Sequence, residues 1–442
     1  MCKKLIGAVI LIAAVFFSGS AMAMEFHHIG YEAISMGGAG VASSTGSFAA
    51  YYNPALLPEH KNSVNVSFSA MYGHREINIA EHIDNLADID IDKTIADLEN
   101  YYNGGLVGTV PSSVQQNVKT IKSELRALSV KNGIQMTPSI ALGIQAGNFG
   151  FGAYMVSEAS ASAVIDSNHL DLIFYEEISG KYIKYNEVTN SFSILTGNGA
   201  QQYNNESIQY ALDEKLTKIN LYGLAYIEIP IAYGRRFATE FGNINVGGAF
   251  KIMPGYTFEY SLDIDSESGD LTDAWQDYYE ESTTFGIDLG LLYKPSIVKN
   301  LSIGLVVKNL NTPEFDTATG GTIEAAPLVR TGIAYDLLGD SITLALDLDL
   351  TKNETYISNY YSQYIGGGIN FHPLSWLSLR AGITQNIQES DEGTILTGGL
   401  GLGVKWLQLD VAGQYGTKSG TIGGNDIPRV AKIQIALVSK WN

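Results

Sequence analysis

The sequence predicts an all-β fold, an antiparallel transmembrane β-barrel of about 14 strands with a helical extracellular insertion. Three observations predict it. Short segments alternate apolar and polar residues with a period of two. The connections between them alternate between long and short. An export-type leader precedes a chain that has no other long apolar run.

The leader comes first. Lys3 and Lys4 precede the apolar run Leu5 to Phe17, and Ser18-Gly19-Ser20-Ala21-Met22-Ala23 follows it. A basic start, a short apolar run and an Ala-x-Ala end describe a secretory signal peptide over residues 1–23, cut after Ala23. The run falls short of the roughly 20 residues that a membrane-spanning helix needs. Cys2 is the only cysteine and lies inside the leader, which excludes disulfides, cysteine nucleophiles and thiolate metal sites from the mature chain. The 442 residues carry 27 Lys+Arg against 46 Asp+Glu, a net charge of -19. Losing Lys3 and Lys4 with the leader moves it to -21, and such acidity argues against nucleic-acid contact.

The strands follow from parity. From Ile342 to Leu350 every even position is Ile or Leu, and the odd positions are Thr343, Ala345, Asp347 and Asp349. From Leu407 to Tyr415 the pattern recurs, with Gln408, Asp410, Ala412 and Gln414 on the polar side. Leu377–Ile383 and Ile433–Leu437 repeat it. One apolar and one polar face result, which suits a barrel wall and also a soluble sandwich. Loop lengths separate the two. Candidate strands at 64–74, 137–147, 148–158, 219–235, 241–254, 282–294, 299–311, 327–336, 340–351, 362–373, 375–387, 394–405, 406–417 and 428–441 are joined by alternately long and short gaps. The short gaps carry turn residues such as Gly147-Asn148, Lys294-Pro295-Ser296, Leu338-Gly339-Asp340 and His372-Pro373-Leu374. This is the habit of outer-membrane barrels, with short turns and both termini in the periplasm.

The expected organisation is therefore a barrel over 63–442, preceded by a segment at 24–62. Within the barrel, 82–132 reads as a helical extracellular insertion. Val114, Val118, Ile121, Leu125 and Leu128 recur at helical spacing after the start signal Pro111-Ser112, and Ile83, Leu86, Ile95 and Leu98 suggest one helix ahead of it. Segment 159–218, rich in Tyr and Asn, reads as a long external loop.

The segment 24–62 carries a recognisable pattern. Ser35-Met36-Gly37-Gly38-Ala39-Gly40-Val41-Ala42 is followed by Tyr51-Tyr52-Asn53-Pro54-Ala55. This resembles the N-terminal pattern of long-chain fatty-acid transporter (FadL-like) outer-membrane proteins, in which a small hatch with an Asn-Pro-Ala motif plugs the barrel. The resemblance assigns Gly37, Gly38, Gly40, Asn53, Pro54 and Ala55 to the hatch. Across most of the chain, Leu291-Leu292-Tyr293-Lys294-Pro295, Gly304 to Asn311 with Pro313, and Pro327 to Gly332 are similar to the conjugal-transfer TraF-type barrels. That label is shared with a thioredoxin-like periplasmic protein, which this chain does not resemble. The resemblance implies a channel for a hydrophobic solute of the fatty-acid or hydrocarbon type. Its alternative is a non-transporting scaffold in a conjugation or secretion assembly. The implied partners are outer-membrane lipid, a hydrophobic small molecule and other envelope proteins.

If the apolar face is outside, Lys251, Asp288, Lys308, Arg330, Asp347, Asp349, Arg380 and Asp410 face the lumen, because charge on the lipid face is costly. They read either as a salt-bridged interior or as a polar conduit. Catalytic signals are poor: there is no Gly-x-Ser-x-Gly elbow, and the seven histidines are scattered. His27-His28 reads as a tail rather than a metal site. Gly399, Gly401 and Gly403 alternate with leucines and so form one strand face. Asp263 to Asp270 departs from a calcium loop in the place of its glycine and reads as an exposed acidic loop. No enzyme activity, cofactor or metal is expected.

Overall fold

The computed structural model describes residues 24–60, 63–102, 110–262, 278–339, 341–404, 406–422 and 424–441. The leader 1–23 and the acidic stretch 263–270 lie outside them. Fourteen antiparallel strands close into a barrel. In chain order they are β1 Val64–Ile77, β2 Gly133–Met136 continued by Ser139–Ala146, β3 Phe149–Val164, β4 Lys218–Thr239, β5 Gly242–Leu262, β6 Tyr279–Pro295 and β7 Leu301–Lys308. There follow β8 Leu328–Leu337, β9 Ile342–Asp349, β10 Tyr364–Leu374, β11 Leu377–Asn386, β12 Thr394–Val404, β13 Leu407–Gly416 and β14 Val430–Trp441. Each strand pairs with its chain neighbours, and β1 closes the circle on β14 from Val64↔Trp441 to Arg75↔Val430. The break in β2 falls at Thr137-Pro138, where proline has no N–H to give the ladder. Both halves of β2 nevertheless pair with β1 and β3.

Parity decides which way each residue faces. Leu344 and Leu346 are exposed on the outer wall, while Ala345 and Asp347 between and beside them are buried. The same holds for Leu409 and Val411 against Asp410 and Ala412. Around the short-turn end the outer wall presents Phe241, Trp376, Trp406 and Trp441, and towards the other end Tyr256, Tyr279 and Tyr415. An apolar band of this extent between two aromatic girdles, on a sheet without edges, is a surface built for lipid. The chain is a transmembrane β-barrel.

Several strands run past the lengths that the alternation predicts, β4 to Thr239 and β5 to Leu262. The Thr239 end of β4 lies at the short turn to β5; at the opposite end β1, to Ile77, and β3, to Val164, run on into two insertions that form one cap. The first insertion holds three helices rather than two: Ala80–Ala87, Ile91–Tyr102 and Ser112–Leu128. The extra break falls at Asp90, whose carboxylate accepts the Lys93 N–H at 2.8 Å and starts a new helix. The stretch 159–218, expected as loop, completes β3 and then forms a three-stranded sheet (Leu172–Glu176, Lys181–Asn186, Ser191–Ile194) and helices Gly199–Glu206 and Ile208–Asp213. Leu98, Val118, Ile121, Leu125 and Leu128 from the first insertion share one core with Leu172, Phe174, Ile183 and Ile208 from the second. Neither insertion can bury its apolar face without the other.

Candidate lumenal site

Residues 24–60 lie inside the barrel. Small residues let them do so. Gly37 (φ 68°) and Gly38 (φ 84°) turn the chain after the helix Tyr31–Ser35, in a backbone region that side chains with a Cβ rarely adopt. A short helix Ala49–Tyr52 ends at Asn53, and Pro54 opens the 3-10 turn Pro54–His60. The Asn53 amide donates to Val41 O at 2.9 Å and to Leu291 O, on β6, at 3.2 Å, while its oxygen accepts the Ala55 N–H at 3.0 Å. One side chain thus ties the turn to itself, to the glycine run and to the wall.

The wall makes room with glycines of its own. Gly234, Gly247 and Gly290 stand in register on β4, β5 and β6. A Cβ on Gly290 would collide with Asn53 Oδ1, and one on Gly234 or Gly247 would collide with the backbone of Pro54. Further round, Gly304 faces Val41, Gly366 and Gly382 face Gly37, Gly368 faces Met36, and Gly399 faces Ser35. Gly399, read from sequence as one strand face, is part of this seat.

The eight charged residues predicted to face inward are all buried and fall into three groups. In the first, Lys251 Nζ lies 2.8 Å from Glu228 and 3.1 Å from Asp288, and Lys308 Nζ is 3.2 Å from Glu228. Lys308 also sits 3.4 Å from the Tyr51 ring centroid, a cation–π contact to the N-terminal segment. In the second, Arg330 lies between Asp347 and Asp349, 3.4 Å from each, and Asp347 accepts the N–H groups of Gly40 and Val41 at 2.8 and 2.9 Å. In the third, Arg380 meets Asp410 at 2.6 Å beneath Tyr31. Two of the groups therefore hold Tyr51, Gly40 and Val41 directly.

A fourth group was not predicted. Arg75 grips Glu25 through two N–H bonds at 2.8 and 2.9 Å and lies 2.6 Å from Glu392, whose carboxylate also accepts from Tyr360 and Tyr364. Burial alone would raise the Glu25 carboxyl, but Arg75 outweighs it and holds the pKa at about 2. His27 and His28, expected to be a tail, are instead buried: His27 pairs with Glu158, and His28 Nε2 lies 2.6 Å from Arg330 Nη1. Burial and the neighbouring Arg330 push the His28 pKa well down, so the neutral ring accepts from the guanidinium. At the short-turn end Glu59 bonds Lys294, Asn245 and Arg236. Burial opposes its ionisation, and the Lys294 contact reverses that and lowers its pKa. Glu228 could have been found from sequence, since it has the inward parity of its strand between Ile227 and Ile229. Glu25 and Glu392 carry no such signal, because they lie outside the strands.

Towards the cap the lumen turns apolar. Met24, Val156, Leu224, Tyr226, Met253, Phe315 and Ala325 form one buried cluster, joined by Ile323 and Tyr356. Phe315 arrives on a hairpin, Glu314–Asp316 with Thr322–Glu324, folded inward between β7 and β8. Among the described residues no group of His, Cys, Asp and Glu is placed to hold a metal ion.

No curated protein matches the sequence. Among solved structures the chain is similar to the Pseudomonas putida toluene transporter TodX, at 12% identity over 95% of this chain and 99% of that one, with a TM-score of 0.43. It is also similar to the CymD monoaromatic hydrocarbon channel (13%, 95% and 98%, 0.44) and to a Pseudomonas aeruginosa FadL homologue (9%, 95% and 99%, 0.43). The family model described as F plasmid transfer operon, TraF, protein matches residues 50–349, and the chain belongs to that family.

Proposed function

We propose that this protein sits in the outer membrane of a Gram-negative bacterium and admits a hydrophobic solute of the fatty-acid or hydrocarbon class, with residues 24–60 as its hatch. The observation that carries this is the apolar cluster around Met253 and Phe315, at the cap end of the lumen and joined by Met24 of the N-terminal segment. An apolar solute in contact with this cluster is removed from water. The solute is taken up at the cap end, rests in this cluster and leaves when the segment shifts. TodX and CymD, by their names, carry aromatic hydrocarbons, so toluene is one probe and oleate, for the fatty-acid class, is the other. Binding of toluene and of oleate to the purified barrel tests the reading. Phe315→Asp is expected to abolish binding while the heat-modifiable gel mobility of the barrel stays normal. Binding unaffected by that change refutes the assignment of the site.

A second reading has its own observation. The lumen is filled with paired side chains from wall to segment, which suits a scaffold that transports nothing within a conjugation or secretion assembly. Absence of binding to either solute, together with co-purification of other envelope proteins, decides for the scaffold.

A further inference from the structure

One cation stands on the side of the barrel wall that faces lipid. Towards the short-turn end of β4, Ile229, Ile231, Tyr233, Arg235 and Phe237 are exposed at alternate positions, and Ala232 and Gly234 between them are buried. Among the described residues of the fourteen strands, Arg235 is the one lysine or arginine that this parity turns outward. Lys251, Lys308, Arg330 and Arg380 face the lumen and are paired there. The Arg235 guanidinium forms no ion pair or hydrogen bond with any described residue. What it touches is the Phe237 ring, whose centroid lies 5.3 Å away.

The neighbours of Arg235 fix its level in the wall. The Gly234 N–H donates to Asn148 O at 3.0 Å, which sets Arg235 level with the short turn between β2 and β3. On its other side β4 and β5 run on past that level, pairing Arg235 with Val246 and Phe237 with Ile244. Phe241, 65% exposed, tips this overhanging hairpin. One step further into the membrane, the exposed rings of Phe149 and Tyr233 lie with centroids 5.0 Å apart. Tyr233 is paired with Gly248, and a Cβ there would meet nothing nearer than 3.6 Å, so the outer wall has a notch between Val246 and Phe250. The guanidinium thus sits among exposed apolar groups, at the edge of the lipid-facing band.

A cation facing hydrocarbon is costly, and the cost falls towards the headgroup level, where an anion can meet it. Of the acids at this end, Glu59 is held on the inner side by Lys294, Asn245 and Arg236, and Glu240 lies in the turn beyond Thr239. No described residue supplies the counter-charge of Arg235. A glycerophospholipid matches both parts of the surface. Its phosphate oxygens accept from the planar guanidinium, and its acyl chains cover Phe149, Tyr233 and the notch at Gly248. We propose that Arg235 and the rings around it bind one glycerophospholipid through its phosphate, in the leaflet at the short-turn side. The site lies on the outer wall and does not depend on what the lumen carries.

The test uses the whole barrel, stripped of lipid in detergent, with native mass spectrometry reading what it retains. Dioleoylphosphatidylglycerol, dioleoylglycerol and glycerol 3-phosphate are offered separately. The first carries chains and phosphate, the second chains alone, the third phosphate alone. Retention of phosphatidylglycerol, and of neither other probe, is expected. Arg235→Gln should weaken it roughly fivefold, the effect of one cation at an anionic surface. Arg235→Lys, which keeps the charge, should retain most of the binding. Lys93→Gln removes an exposed cation from the cap and should change nothing. Heat-modifiable gel mobility confirms that each variant is folded. The proposal is overturned if Arg235→Gln holds phosphatidylglycerol as the parent does, if dioleoylglycerol is held equally well, or if glycerol 3-phosphate binds as tightly as the lipid.

Discussion

The lumen and the cap solve opposite burial problems with one chain. In the cap, water is outside, so Leu98, Leu125, Phe174 and Ile183 go inside. In the barrel, lipid takes the outward apolar side chains, and many inward positions below the apolar cluster carry charge instead. Arg330, Lys251, Asp347 and Asp410 fill them, together with a segment of small and aromatic residues seated on glycines. The cap is held by area removed from water, the lumen by pairing. Truncating a core side chain of the cap opens a void. Truncating one in the lumen strands a charge or a donor without a partner.

That contrast orders the expected outcomes. Lys251→Ala leaves Asp288 without its cation and Glu228 with only Lys308, and should cost about 3–5 kcal/mol. The temperature at which the heat-modifiable band shifts reads this directly. Replacing Lys251 and Glu228 together by Met should cost less than Lys251→Ala alone, and the contrast fails if it costs more. Leu125→Ala in the cap should cost about 2–5 kcal/mol, but locally. Proteolysis of the cap should speed up while the barrel band is unmoved, and a joint loss would show that the two regions unfold as one. Asn53→Ala removes three hydrogen bonds and should cost about 1–3 kcal/mol within the segment. Leak conductance in planar bilayers should rise with the barrel intact. Gly290→Val should reproduce that effect from the wall side, because its Cβ collides with Asn53. The smallest effect is on pH. Glu25 is held below its unfolded value, so its contribution is complete above about pH 4.5 and is lost only as pH falls through about 2. Protease access to the N-terminal segment should therefore be unchanged from pH 7 to 5 and rise below pH 3.

Much of the barrel was legible because lipid imposes a period of two on every strand. Asp347 and Asp349 declared their direction simply by standing between leucines. The pairs were not legible. Nothing in sequence spacing says that Arg330 chooses those two aspartates, or that Arg75 reaches Glu25, which lies outside every strand. The cap was half legible, since the helix Ser112–Leu128 shows its stripe at once. The strands at 172–194 bury their faces against an insertion that ends some 40 residues earlier, a relation that no local pattern carries. The wall glycines were visible in number but not in purpose, because what each one yields to lies elsewhere in the chain.

The seat of the N-terminal segment bears on how the molecule comes together. Gly37 donates to Thr397, 360 residues away, and Gln414 donates to Ile34, 380 residues away. These bonds cannot exist before β12 and β13 are present, however early residues 24–60 are made. The stretch synthesised ahead of every strand is thus seated after almost all of them. Whatever inserts this protein must keep an aromatic and glycine-rich leash from straying until the circle is ready to close around it.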